Sequence, residues 1–374
     1  MKHEMKRVII SMAAALAFAA LAIPAIADDG HDNEHGGRST VCKLSANKMF
    51  RSCHFEVNEE YHATAAICIN LGDADERKDC LQAAQKSRRE DRAGCGEQRE
   101  ARTEVCELLG ENRYDPEALL DTSNFKEEPD GSNPYFSLAP GHTYVARAGE
   151  DFEETIVVTV TDKVREVLGV NCRIVVDIVL VKEDDEFVAV EVTDDYYAQA
   201  LNDDVHYCGE VARNFEDGAL VNLDGSFEAG RDLAKSGILI KANPQTGDAH
   251  RQEYLLGEAE DVIRYVAGAG DLTSVGPGEG GDNPNFPCDP GCVKTEEFIP
   301  PEPGAGEFKY FLAGTGFVLG VGLEDGEPTG ERDEVLCTGN SLDVLRDDPD
   351  CGIDDATELL EQLCKLSPIA FCDN

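Results

Sequence analysis

Residues 154–209 read ETIVVTVTDKVREVLGVNCRIVVDIVLVKEDDEFVAVEVTDDYYAQALNDDVHYCG. In this stretch Ile156, Val158 and Val160 alternate with Thr155, Val157, Thr159 and Thr161. Further on, Cys172, Ile174, Val176, Ile178 and Leu180 alternate with Arg173, Val175, Asp177, Val179 and Val181. After the charged turn Lys182-Glu183-Asp184-Asp185 the pattern resumes from Phe187 to Val192. A period of two in a run dense in Val, Ile and Thr favours pleated strands over helix. Long strands in succession, joined by short polar turns, predict an antiparallel meander.

Working outward, a β unit begins at Asn133-Pro134-Tyr135-Phe136, with a first strand at Thr143 to Arg147. Beyond the meander, strands are expected at Asp204 to Arg213, Ala219 to Glu228, Gly237 to Ala242, His250 to Leu256 and Asp261 to Val266. Two more close the unit near Val293 to Phe298 and Glu307 to Leu319. Asp217-Gly218 and Asp224-Gly225 mark tight turns, and residues 268–287 form a Gly/Pro-rich insert. The β domain is taken as 133–329, after a Pro-, Asp- and Glu-rich linker at 112–132, and a Cys-rich tail follows from 330 to 374.

Ahead of the linker, cysteines stand at 42, 53, 68, 80, 95 and 106. Their spacings are a palindrome about a point near residue 74, as two antiparallel helices joined by a turn require. Intervals close to three and four helical turns keep each helix's cysteines on roughly one face. The spacing therefore pairs Cys42 with Cys106, Cys53 with Cys95 and Cys68 with Cys80 in a hairpin over 41–111. Asp73 with Glu76 starts the second helix in the manner of a capping box, and Gly110 ends it. Few large apolar residues line the hairpin, so crosslinks worth about 2–4 kcal/mol each must supply what its seam lacks.

The chain opens with Lys2, Lys6 and Arg7, an apolar run from Val8 to Ile23, and Ala25-Ile26-Ala27. That pattern is a signal peptide over 1–27, followed by a polar, disordered segment over 28–40. Export permits disulfides, and all 14 cysteines follow the leader. Cys172, Cys208, Cys288, Cys292, Cys337, Cys351, Cys364 and Cys372 allow many pairings, among which sequence does not choose. The formal net charge of −42 argues against nucleic acid and anionic membranes as partners. After the leader no apolar run is long enough for a membrane helix. The expected protein is secreted or periplasmic, acidic and without cofactor or metal.

Several motifs between Asn133 and Val318 carry a resemblance. These are Asn-Pro-Tyr-Phe-x-Leu-x-Pro-Gly at 133–141, Tyr196-Tyr197-Ala198-Gln199, His206-Tyr207-Cys208-Gly209-Glu210, Gly225 to Gly230, Arg251-Gln252-Glu253-Tyr254 and Tyr310 to Val318. The chain resembles a group of uncharacterised secreted bacterial proteins, some of which carry an N-terminal Cys-rich helical hairpin. In that group positions 197, 206 and 227 are often Trp, which this chain lacks altogether. The resemblance implies a β-rich domain and brings no activity with it.

No Gly-x-Ser-x-Gly, His-Glu-x-x-His or phosphate-binding glycine loop is present. Asp194-Asp195, Asp203-Asp204 and Asp347-Asp348 lack the spacing of a calcium loop. A hydrolase would need His206 or His250 beside a serine and a carboxylate, and Ser226, in Asp-Gly-Ser-Phe, reads as a hairpin turn residue rather than a nucleophile. The resemblance segments instead offer Tyr196, Tyr197, Tyr207, Glu210, Glu228, Arg251, Glu253 and Tyr254 as a ligand-binding set on a concave sheet. In the competing structural reading, Arg251 pairs with Glu228 or Glu253. The fold class expected is α+β: a disulfide-laced α-hairpin, a curved antiparallel sheet like the half-barrels of periplasmic lipoprotein carriers, and a stapled tail. The function expected is non-catalytic binding of a small molecule, an amphipathic ligand or a surface partner, with a secreted hydrolase as the alternative.

Overall fold

The computed structural model describes residues 40–110, 112–114, 120–149, 152–183, 186–353 and 355–372. The expected leader and the polar segment up to residue 39 lie outside the described residues. Helices α1 (Val41–Ile69) and α2 (Ala74–Leu109) form the hairpin. Its three disulfides are Cys42–Cys106, Cys53–Cys95 and Cys68–Cys80, in the register that the palindrome dictates. The Asp73 carboxylate accepts hydrogen bonds from Asp75 N (2.8 Å) and Glu76 N (3.0 Å), satisfying donors that the start of α2 leaves open.

The sheet runs through β1 (Thr143–Ala148), β2 (Glu154–Val167), β3 (Val170–Glu183), β4 (Glu186–Gln199), β5 (Val205–Glu216), β6 (Ala219–Asn222), β7 (Phe227–Glu228) and β8 (Lys235–Ile240). It continues with β9 (Ala249–Arg251), β10 (Glu253–Tyr254), β11 (Val262–Leu272), β12 (Cys292–Phe298), β13 (Ala305–Leu312), β14 (Gly316–Glu324) and β15 (Glu327–Gly339). All fifteen strands belong to one sheet in the order β10-β8-β5-β4-β3-β2-β1-β15-β14-β13-β12-β11-β9, with β6 and β7 appended to β5. The two ends of that path are consecutive in the chain, separated only by Gln252. β9 pairs with β11 and β10 with β8, so the sheet curls past a half-barrel into a nearly closed barrel. Closure needs a close approach at Gly237, where a Cβ would collide with the backbone oxygens of Arg251 and Gln252.

Several boundaries differ from the sequence expectation, among them His250 to Leu256, which Gln252 divides into β9 and β10, and Asp261 to Val266, which runs on to Leu272 as β11. Glu307 to Leu319 is not one strand: it breaks at Gly314, whose φ of +83° suits glycine, into β13 and β14. Ala219 to Glu228 is likewise split by the Asp224-Gly225 turn into β6 and β7. The segment read as tail from residue 330 first completes β15, which pairs with β1 and β14. Its charged run Glu331-Arg332-Asp333-Glu334 conceals a strand whose polar residues face both ways.

The cores divide by face. Inside the barrel, Val158, Val160, Val175, Tyr197, Tyr207, Ile263, Tyr265, Val293 and Phe311 pack together with Tyr135 and Leu138 of the Asn-Pro-Tyr-Phe segment. Asn133 holds that segment in place: Nδ2 donates to Asp203 O (2.9 Å), and Oδ1 accepts from Tyr135 N (2.8 Å) and Phe136 N (3.1 Å). The segment thus corks one end of the barrel.

On the outer face, Val157, Val176, Ile178, Leu180 and Val192 are covered by the C-terminal helices α3 (Val344–Asp347), α4 (Ala356–Leu366) and α5 (Pro368–Phe371). The bonds Cys337–Cys351 and Cys364–Cys372 staple this cap. Cys172–Cys208 ties β3 to β5 across β4, and Cys288–Cys292 closes a short turn before β12. No helix among the described residues is long and apolar enough to cross a membrane.

Candidate functional site

Residues directly opposite one another across an antiparallel ladder project from the same face. The ladder therefore puts Tyr144, Val158, Asp177 and Thr193 on one face, with Val160, Val175, Asp195 and Glu210 beside them. Across the barrel, Ile263, Glu297 and Glu307 line up in the same way. Since Val158, Val160, Val175 and Ile263 belong to the inner core, these carboxylates point inward too. Glu253, Asp261 and Asp333 join them, each within electrostatic reach of Lys309. Below the apolar plug, the barrel interior is thus strongly acidic.

Lys309 is the base set among those carboxylates. Its Nζ lies 2.8 Å from Glu297 Oε2 and 3.4 Å from Glu307 Oε2. Burial works against its charge, but these two carboxylates outweigh burial and hold its pKa well above the ordinary value. The Lys309 side chain keeps 33% of its surface and Glu307 26%, so the barrel interior keeps a water-accessible chamber. Gly320 stands opposite Lys309 on β14, and a Cβ there would run into Glu307 Oε1 and Asp333. A bare wall leaves the carboxylates their room.

The remaining acids have no such counter-ion. The Tyr207 hydroxyl sits between Asp195 Oδ1, by a short hydrogen bond, and Glu210 Oε2 at 2.8 Å. Asp177 Oδ1 is buried with no hydrogen-bond partner. Burial pushes Asp195 up to about 7 despite the bond from Tyr207, and pushes Asp261 to about 7 against the pull of Lys309. Glu307 also rises to about 7, through burial that Lys309 only partly offsets. Asp177, Glu210 and Glu253 lie well above the usual carboxylate range, from burial first and neighbouring carboxylates second.

The ligand-binding set drawn from the sequence splits three ways. Tyr197, Tyr207, Glu210 and Glu253 face the interior. Tyr196 and Glu228 lie on the outer face, where Glu228 bonds Arg165 and Arg231 (2.5 Å each) and Arg165 stacks over Tyr196. Arg251 and Tyr254 lie on the outside beneath the hairpin, the guanidinium 4.9 Å from the Tyr254 ring centre and 5.5 Å from that of Tyr114.

The reason is alternation. Tyr196 and Tyr197 are consecutive in a strand, as are Glu253 and Tyr254, so each pair must straddle the sheet. The expected ion pair from Arg251 to Glu228 or Glu253 is not formed, because Glu228 is engaged by other arginines and Glu253 points the other way. Sequence reasoning missed Asp261, Glu297, Glu307, Lys309 and Asp333 as site residues, and used Asp177 only as a strand marker. A carboxylate amid Val and Ile, as at Asp177, was the available signal.

The hairpin docks beside this chamber. Arg102 Nε lies 3.0 Å from both Glu260 oxygens and Nη2 lies 2.6 Å from Oε1, with both side chains buried. Gln98 donates to Pro301 O at 2.8 Å. The residue after Glu260 is Asp261, so the anchor adjoins the acidic wall. Of the histidines weighed for hydrolysis, His250 projects from the inner face opposite Ile263 and His206 from the outer one. His206 packs on Phe125 with its Nδ1 unpartnered, and His250 bonds Arg251 O and the Tyr265 hydroxyl. Burial depresses them to about 4 and about 3. Ser226 Oγ bonds the backbone of Ala212 and neither histidine.

No family model and no curated protein matches the chain. Two solved structures share some likeness with it. One, from Bacteroides fragilis, is described as an exported protein with a YmcC-like fold; it is 12% identical, with 55% of this chain and 98% of that one covered, at a TM-score of 0.24. The other, described as a lipoprotein from Parabacteroides distasonis, is 9% identical, with coverage of 55% and 97% and a TM-score of 0.26.

Proposed function

We propose that this is an extracytoplasmic, non-catalytic binding protein that holds a small ligand inside the barrel. The observation that carries the reading is the water-accessible chamber itself. On its wall Tyr144, Tyr197 and Tyr207 stand beside buried carboxylates that lack a basic partner and that burial drives toward the protonated form, an arrangement that costs stability and does nothing for packing. Such groups are accounted for when a ligand supplies the missing partner. Disulfides throughout the described chain, with no free cysteine there, support a compartment outside the cytoplasm.

The test is a thermal-shift screen of lipids, glycans, amines and divalent ions, followed by hydrogen-exchange mapping of any hit. Protection is expected on β3, β4, β5 and β13. Protection confined to the outer-face cluster of Tyr196 and Glu228, or no hit that raises Tm, overturns the reading.

A further inference from the structure

We infer that the chamber selects an extended polyvalent amine, a linear chain bearing two or more ammonium groups. This rests on the chamber being the ligand site. Lys309 shows what the interior holds: an alkyl-ammonium whose Nζ sits between Glu297 and Glu307, at 2.8 and 3.4 Å. Charge-assisted contacts of this kind are the strong ones in an enclosed site. Around it, Asp177, Asp195, Glu210, Glu253, Asp261 and Asp333 form no salt bridge among the described residues. Glu253 is the sharpest case. It keeps only 7% of its surface, accepts no hydrogen bond among the described residues, and faces Asp261, Glu210 and Asp195. Asp177 Oδ1 is buried and equally unpartnered.

The spread of these groups sets the class of cation. They come from β3, β4, β5, β10, β15 and the turn before β11, around the wall rather than at one point. Among the described residues no three His, Cys, Asp or Glu side chains converge so as to hold a metal ion. A single divalent ion would satisfy few of them, whereas ammonium groups separated by methylenes reach several. Tyr144, Tyr197 and Tyr207 stand on the same inner face, and the Tyr207 hydroxyl already bridges Asp195 and Glu210.

Spermidine and putrescine, with magnesium, calcium and a neutral alkyl glycoside for comparison, are titrated into the full mature protein by calorimetry. Spermidine is expected to bind more tightly than putrescine and than either metal. Asp177→Asn with Glu253→Gln is expected to weaken it by about tenfold or more, while Asp79→Asn with Glu361→Gln, both exposed, leaves it unchanged. The interior variant should also melt higher than wild type without ligand, since it removes buried repulsion; a merely structural pair would melt lower.

Equal losses in the interior and exposed variants reduce the binding to the protein's overall charge and overturn the inference. Calcium or magnesium binding as tightly and competing with spermidine overturns it in favour of a metal site. Interior binding of the glycoside without spermidine overturns the amine and leaves the binding-protein reading standing. Absence of any interior ligand removes both.

Discussion

The helical hairpin and the barrel interior are stabilised in opposite ways. Along α1 and α2 the buried residues are few, Ala46, Val57 and Ala84 among them, and the helices are held by three nested disulfides. The barrel carries an extensive apolar core and a continuous hydrogen-bonded ladder, and it tolerates inside them a set of carboxylates that burial penalises. One region lacks a core and is crosslinked; the other has core to spare and concentrates charge where a ligand can use it. Strain of this kind collects at sites that do something, while crosslinks of the hairpin kind serve shape alone.

The largest effect should come from breaking the hairpin's crosslinks. Replacing Cys53 and Cys95 by Ala should cost the hairpin about 2–4 kcal/mol. Replacing all six hairpin cysteines should melt α1 and α2 while the β signal in circular dichroism persists. If helix and sheet signals were lost together in one transition, the two regions would not be independently stabilised. Next in size is the joint between them. Arg102→Ala strands the fully buried Glu260 carboxylate and should cost about 3–5 kcal/mol. Arg102→Lys should rescue only part of that, because an ammonium does not reproduce the two-pronged contact. Urea unfolding decides the point, and a midpoint unchanged in Arg102→Ala would show that the hairpin is held by something else.

A smaller effect concerns pH. Asp195, Asp261 and Glu307 have folded-state pKa values near 7, raised chiefly by burial above unfolded values near 4. Between those values the native state binds more protons than the unfolded chain, so stability falls as pH rises. It is fully present below about pH 4 as far as these groups are concerned, and their loss is complete above about pH 7. Tm should therefore drop between pH 5 and pH 8 by at least roughly 5 °C, and a bound amine should restore much of it. A Tm that rose over that range would mean that the interior acids are neutralised by partners other than protons.

How much of this was legible in the sequence follows from what periodicity encodes. The hairpin was readable down to its pairings, because a palindromic cysteine spacing has one simple geometric solution. The meander was readable because Val, Ile and Thr alternate over residues 154–199. Closure of the barrel was not, since it depends on the few residues of β9 and β10 bridging two distant strands past Gly237. The chamber was half visible. Glu210 and Glu253 were picked out through their neighbours, yet grouping them with Glu228 and Tyr254 ignored that consecutive strand residues face apart. Glu297, Glu307 and Lys309 look like ordinary surface charge on a charged chain, and only the barrel's curvature shows that their face is the inner one.

The smallest predicted effect separates Arg251 from Arg102, two buried arginines near the same joint. Arg102 holds Glu260 through three hydrogen bonds, whereas Arg251 has no carboxylate of its own: its Nη1 is unpartnered and its guanidinium lies against Tyr254 and Tyr114. Burial lowers its pKa, and attraction to Glu260 works in the opposite direction. Arg251→Ala loses two ring contacts worth about 0.5–2 kcal/mol each, but it also removes a buried charge that is poorly paired, which returns part of the loss. The net cost should be about 1–2 kcal/mol, well short of that for Arg102→Ala, and Arg251→Met should be milder still because it keeps the apolar stem. Urea midpoints for the three variants make the comparison. If Arg251→Ala proved as costly as Arg102→Ala, and Arg251→Met no better, the two arginines would act as one ionic network around Glu260, and the rings of Tyr114 and Tyr254 would be bystanders.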